Sequence, residues 1–533
     1  MLLLASGLRL ETPLERIAGV ALLLGFMVAG HVWVRLGVAR RQRLVPVLIA
    51  VLGGALAAAL WVGRYPGWDD VQHLHTAWLM QHGQMPFRDF FENHSPLTYQ
   101  ILAALLWLRP QAVAICDFSR FLSLVLALAS FGLTVALARR VLATRSVPMA
   151  ALGVLWLGAL LPYELYELRP DMFANVSSLG ALLVLATSRR IRALVGSGLL
   201  LGLSVALTPK HAVLLAALPL ALLLERPAMW PFVWRTGLHW IGIALGAAPT
   251  LAWLAGHGLL SDFRYWVFSF NQSIPRADAL VLPLVLMGLV GAWLAVLWRE
   301  RRGLRRLQPS ESVAVAGMAA GMLMYRLQVI HAGPYGLQLC VLVLMGACCG
   351  EASRVMGWLV ERRYGILAGF LLGFYFLPSV TVLRWVSHGD YFAGRAEIAA
   401  LGQIAGGEAV VGVPPRHPVL APDATRLSCC FVWMRWLVRD DVRAQLRGMA
   451  EQIEARRPAL VMAGDRLTPE APESAEELPF AARLVKTGNA TPEEGERLQA
   501  FLQREYRLVR VVRHYYWVRN DKALPEGCEE VRG

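Results

Sequence analysis

The residues best suited to chemistry lie between positions 63 and 96, in the stretches GWDDVQHLH (67–75) and GQMPFRDFFENHSPL (83–97). Asp69 and Asp70 are adjacent carboxylates in a polar segment between two apolar runs. Adjacent carboxylates repel each other, and a nearby bilayer strips part of their hydration. Both effects raise a carboxylate pKa and suit the group to proton transfer. A helix that starts at Trp68 or Asp69 places Asp69 and His73 on one face, and Asp70 and His73 likewise. His73, His75 and His94 add nitrogen donors, so a divalent metal is an alternative use of the same residues. Tight ligand spacing such as HExxH is missing, which favours hydrogen-bonded structural histidines. Helix capping is the competing reading for Asp69, Asp70 and Asp89.

These residues need elements to hold them, and composition says what kind. Of 533 residues 56% are hydrophobic and only 17% charged, against roughly a quarter charged in soluble domains. So apolar a chain needs lipid over much of its surface. About twelve runs are long enough to serve as membrane spans: 17–34, 44–62, 118–138, 147–163, 171–188, 193–208, 211–224, 237–255, 278–298, 312–330, 335–350 and 364–385. The run at 211–224 is short for a full crossing. The apolar stretch 97–108 reads as an interfacial helix leading into the third span.

Arginines set the orientation, because positive loops stay in the cytoplasm. Basic clusters such as Arg139/Arg140/Arg145, Arg189/Arg190/Arg192 and Arg299/Arg301/Arg302 fall in every alternate loop. The loops 63–96, 164–170, 209–210, 256–277 and 331–334 then face outward, as does the tail beyond about 386. The net charge of +14 belongs to this topology signal. No continuous basic patch exists, which excludes nucleic acid as a partner.

The expected organisation is a polytopic α-helical membrane domain over 1–385 and a periplasmic α/β domain over 386–533. In the tail, 408–413 (EAVVGV), 459–462 (ALVM) and 506–512 (YRLVRVV) read as strands, 440–456 as an amphipathic helix and 469–477 as a loop. The seven cysteines form no CxxC motif. A disulfide between Cys528 and Cys429 or Cys430 stays open. The N-terminus shows no cleavable signal-peptide pattern.

The first outer loop resembles a known family. A DD or DE pair, about a dozen residues, G-x-x-P-[YF]-x-D-F and then P-L is similar to the loop of the protein O-mannosyltransferase and lipid A aminoarabinose transferase group of GT-C glycosyltransferases. Arg169-Pro170-Asp171, Pro209-Lys210-His211 and the segment from His331 to Tyr335 also fit. The resemblance covers most of residues 45–350 and implies a GT-C-like fold. It also implies a bacterial inner-membrane enzyme that moves a hexosyl or pentosyl group from a polyprenyl-phosphate donor to a glycan, lipid or protein acceptor. Inversion at the anomeric carbon and catalysis without a cofactor come with it.

On that resemblance Asp69 is the catalytic base or the residue that orients the acceptor, with Asp70 in the second position, where many members carry Glu. A carboxylate there can take the proton of the attacking hydroxyl. The departing phosphate needs cations, and the candidates are Lys210 beside His211, then Arg169, then Arg276. Asp89, His94, His331 and Tyr335 are candidate substrate contacts. Lys210 snorkelling to the interface and Arg169 pairing with Asp171 are the structural alternatives. A transporter or lipid flippase is the competing function. It is disfavoured because the halves show no repeat and the acids sit outside mid-membrane depth. A glycan polymerase or ligase typically uses a late outer loop instead.

Overall fold

The computed structural model describes residues 68–90, 92–107, 112–142, 168–225, 227–271, 390–411, 448–464, 480–486, 490–512 and 514–531, with isolated helical positions near 20–31 and 312–317. The spans expected at 44–62, 147–163, 278–298, 335–350 and 364–385 lie outside the described residues. Those at 17–34 and 312–330 do so for the most part.

Helix α1 (Trp68–Gln81) lies in the segment 63–96 and begins where the sequence pattern sets its start. Gly83, at φ +82°, ends it, and the chain reverses through 85–89. Helix α2 (Pro96–Leu106) starts with proline at its first position, where the missing N–H costs nothing. A helix thus covers most of the apolar stretch 97–108, and α3 (Ala112–Leu142) contains the run expected as the third span. Leu74, Ala77, Leu102 and Leu106 pack α1 and α2 together with Leu168.

Helices α4 (Pro170–Thr187) and α5 (Ile191–Leu207) match the runs expected at 171–188 and 193–208 within two residues. The run at 211–224 is interrupted: a 3-10 helix (Pro209–Ala216) leads into α6 (Ala217–Glu225). Pro209 cannot continue α5, since it has no N–H to give. Helix α7 (Met229–Gly256) follows. Among the described residues, α4 and α7 have the length and composition to cross a membrane, and α5 is a shorter apolar helix.

Glycine explains how closely α5 and α7 approach. A Cβ on Gly198 would lie 2.1 Å from the His239 carbonyl oxygen, and one on Gly202 2.1 Å from that of Ile243. Reciprocally, a Cβ on Gly242 would meet the Val195 oxygen at 2.2 Å, and one on Gly246 the Leu199 oxygen at 2.2 Å. These are two facing GxxxG motifs, the spacing that lets helix backbones touch in lipid. His239 is buried beside this crossing, with Nδ1 3.0 Å from Ser197 Oγ.

After α7 the chain makes a short α8 (Leu260–Phe263) and a π-helix (Arg264–Phe270). The C-terminal part contains α9 (Asp390–Ala405), β1 (Val410–Val411), α10 (Met449–Arg456), β2 (Leu460–Gly464), α11 (Phe480–Lys486), α12 (Pro492–Glu505), β3 (Tyr506–Val511), β4 (His514–Arg519) and β5 (Cys528–Glu530). The strands form one sheet in the order β1-β2-β4-β3-β5, with only β1 and β2 parallel. Alternation along β2 splits its side chains between two cores. Leu460 and Met462 pack with Leu401 and Ile404 of α9, while Val461 faces Ile453, Phe480 and Leu498. Helix α12 starts with a complete capping box between Thr491 and Glu494.

The three strand expectations correspond to β1, β2 and β3, and Met449–Arg456 is the helical part described within 440–456. Strands β4 and β5 add to them, as do α9, α11 and α12. The segment 469–477 lies outside the described residues. So do Cys429 and Cys430, the partners considered for Cys528.

The second core also holds Phe87, from the loop after α1, and Leu254, Leu259, Trp266, Val267 and Phe270 around the π-helix. The sheet unit is thus packed on the same loops that carry the acidic motif. Arg395 of α9 adds an ion pair to Asp117 of α3 at 2.6 Å.

Candidate active site

The loop 92–95 is built around one buried carboxylate. Glu92 is fully buried, and its Oε1 accepts from the backbone N–H groups of Asn93 (2.9 Å) and His94 (3.1 Å). The same oxygen lies 2.6 Å from His94 Nδ1, and Oε2 accepts from Thr76 Oγ1 at 3.1 Å. Burial alone would push the Glu92 pKa up. The His94 hydrogen bond and charge, with the Asn93 N–H, hold it below the usual carboxylate value. Ser95 Oγ donates to the Ala206 carbonyl and ties the loop to the end of α5.

His73 stands behind this loop. Its Nδ1 is 3.0 Å from the hydroxyl of buried Tyr99, and its ring meets His94 edge-on at 5.2 Å. Burial, then the neighbouring His94, push the His73 pKa down to about 3, against the pull of Glu92 and Asp171. His73 is therefore neutral at physiological pH.

Lys210 also contributes to the electrostatics at His73, so three separate stretches meet here. Asp171, buried in the first turn of α4, lies 3.5 Å from Lys210 Nζ. The Lys210 side chain keeps 34% of its exposure. Carboxylate and ammonium are thus joined while the ammonium still reaches solvent. Arg169 immediately precedes α4 in extended conformation.

Seven of the ten expected site residues fall among the described residues. Asp69 and Asp70 lie in the first turn of α1, one turn before His73. Lys210 and Arg169 come together around Asp171. His211 is buried in the bundle, where Nδ1 lies 2.7 Å from both Ser178 Oγ and Ser204 Oγ. Asp89 closes the loop turn: its Oδ2 accepts from Met85 N–H at 2.8 Å and its Oδ1 pairs with Arg88 at 3.1 Å. His94 sits on Glu92. Arg276, His331 and Tyr335 fall outside the described residues. Among the described residues no group of three His, Cys, Asp or Glu side chains is placed to hold a metal ion.

Sequence reasoning did not single out Glu92, Tyr99 or Thr76. A lone glutamate in a polar loop carries no spacing signal. Its importance comes from burial by α1 and α2, which no local pattern encodes.

No family model matches the chain, and no curated protein matches it in sequence. Its fold is similar to that of ArnT from Cupriavidus metallidurans, seen in the apo state, with a TM-score of 0.53 at 12% identity over 88% of this chain and 97% of that one. It is also similar to the apo oligosaccharyltransferase of Archaeoglobus fulgidus, with a TM-score of 0.50 at 11% identity over 91% of this chain and 76% of that one. Both neighbours have the GT-C fold, and this chain shares it. The described part of the chain is mostly helical, as that fold requires.

Proposed function

We propose that this protein is a membrane glycosyltransferase. It takes a hexosyl or pentosyl group from a polyprenyl-phosphate donor on the periplasmic side of the inner membrane and passes it to a glycan, lipid or protein acceptor. The observation that supports the reading is the grouping of His73 of α1, the Glu92–His94 loop and the Asp171–Lys210 pair, with Asp69 and Asp70 one turn before His73 in sequence. The likeness in fold to a lipid A aminoarabinose transferase supports it.

The chemistry divides between two ends of this site. Asp69 takes the proton of the acceptor hydroxyl as its oxygen attacks the anomeric carbon. The bond from that carbon to the phosphate oxygen breaks, and the configuration inverts. The electron pair leaves with the polyprenyl phosphate, whose charge is met by Lys210, Arg169 and Arg276. Asp171 fixes where the Lys210 ammonium points, and His211 anchors the turn beside it. Asp70, Asp89, His94, His331 and Tyr335 shape the sugar and acceptor space. The C-terminal α/β unit lies on the periplasmic side, over the outer loops.

The test is reconstitution in proteoliposomes with a panel of polyprenyl-phosphate sugars and cell-envelope acceptors. Release of polyprenyl phosphate together with a sugar-bearing acceptor, from one donor, is the expected result. Movement of an intact donor across the bilayer without cleavage would make the protein a flippase instead.

A further inference from the structure

Asn271 follows the π-helix and turns its side chain back onto the Glu92 loop. Its Nδ2 donates to the Asn93 carbonyl at 2.9 Å and to the Val267 carbonyl at 3.0 Å. Its Oδ1 accepts from Asn93 Nδ2 at 2.9 Å. These bonds fix both amides. With its own Nδ2 on two carbonyls, Asn271 turns its oxygen to Asn93, which must answer with a donor. Asn93 is 7% exposed, so water competes little for these groups.

The pair joins chain segments 178 residues apart. On one side it grips the residue between Glu92 and His94. On the other it ends a π-helix whose Trp266, Val267 and Phe270 are buried in the core shared with the C-terminal sheet. π-helical turns are rare and recur at functional sites. Asn271 directly follows this one.

We infer that the Asn93–Asn271 pair is a latch through which the C-terminal unit sets the position of the Glu92–His94 loop. Asn271 is then a positioning residue for the transfer proposed above, and its role in turnover rests on that reading. Nothing local marks it: the latch forms only when the π-helix and the loop are packed together.

The test uses the full chain in nanodiscs, with Asn93→Ala, Asn271→Ala, the double variant and Asn271→Asp. Amide exchange over residues 92–95 is read beside transfer kinetics and thermal stability. The latch requires faster exchange over 92–95 in Asn271→Ala. It also requires a kcat loss of about tenfold in each single variant and no further loss in the double, with donor KM little changed. Asn271→Asp keeps the acceptor but sets a carboxylate oxygen against the Asn93 and Val267 carbonyls, so it should lose at least as much as alanine; it also serves if Asn271→Ala does not fold. Unchanged exchange, or losses that multiply in the double variant, would overturn the latch. If the wild type is inactive with every donor, the transferase reading fails. Exchange alone then decides the latch.

Discussion

His94 Nδ1 and Glu92 Oε1 lie 2.6 Å apart, with the carboxylate fully buried and the imidazole 23% exposed. The carboxylate has no water to turn to, so it holds the ring while the rest of the imidazole reaches the site. The same carboxylate takes two backbone N–H groups, which makes it the organising centre of the loop rather than a simple partner.

Replacing Glu92 by Ala therefore strands buried donors. The expected loss is about 2–3 kcal/mol, the scale of hydrogen bonds to a charged group. It should appear as a lower thermal midpoint in detergent and as lost transfer. Glu92→Gln keeps an acceptor and should lose less stability than Glu92→Ala.

Stability should fall on acidification. Unfolded His73 binds a proton near 6.5, whereas the folded imidazole does so only near 3. The folded state thus refuses a proton that the unfolded state accepts, and stability is full above about pH 6.5 and declines towards pH 3. At pH 5 the difference is about 2 kcal/mol. Glu92, with its lowered pKa, adds to the loss at still lower pH. Melting between pH 7.5 and 5 checks this, and His73→Gln should flatten the curve.

Lys210→Met leaves the Asp171 carboxylate buried beside a lost cation. The expected cost is about 1–2 kcal/mol, below that of a fully dry pair because Lys210 is partly exposed. Adding Asp171→Asn should restore the melting temperature without restoring transfer. Recovery of both would remove Lys210 from donor binding.

Gly202→Leu should separate α5 from α7, since the new Cβ would overlap the Ile243 carbonyl. Overpacking of this kind costs on the order of 1–3 kcal/mol. Gly237→Ala, where a Cβ meets nothing within 4 Å, is the control and should melt like the wild type.

Much of this arrangement is legible in the sequence for a physical reason. Long apolar runs and arginine clusters report the membrane directly, so α4 and α5 match their expected spans closely. The acidic pair and the turn residues around Gly83 mark the loop. What escapes depends on packing at long range. The break at Pro209–Ala216 is visible only as a run too short to cross. The β3–β4 hairpin turns at Val512, which sits at φ +54° where glycine or asparagine would be the usual signal. Glu92 and Asn271 look like ordinary loop residues until α2 and the π-helix close around them.

The central claim is that Asp69 takes the acceptor proton, and one comparison tests it most directly. Wild-type and Asp69→Asn proteins, matched for melting temperature, are assayed for sugar transfer with the donor the wild type uses. The account predicts a fall in kcat of at least ~100-fold with donor affinity retained. Turnover that survives the substitution would contradict it and take Asp69 out of the mechanism.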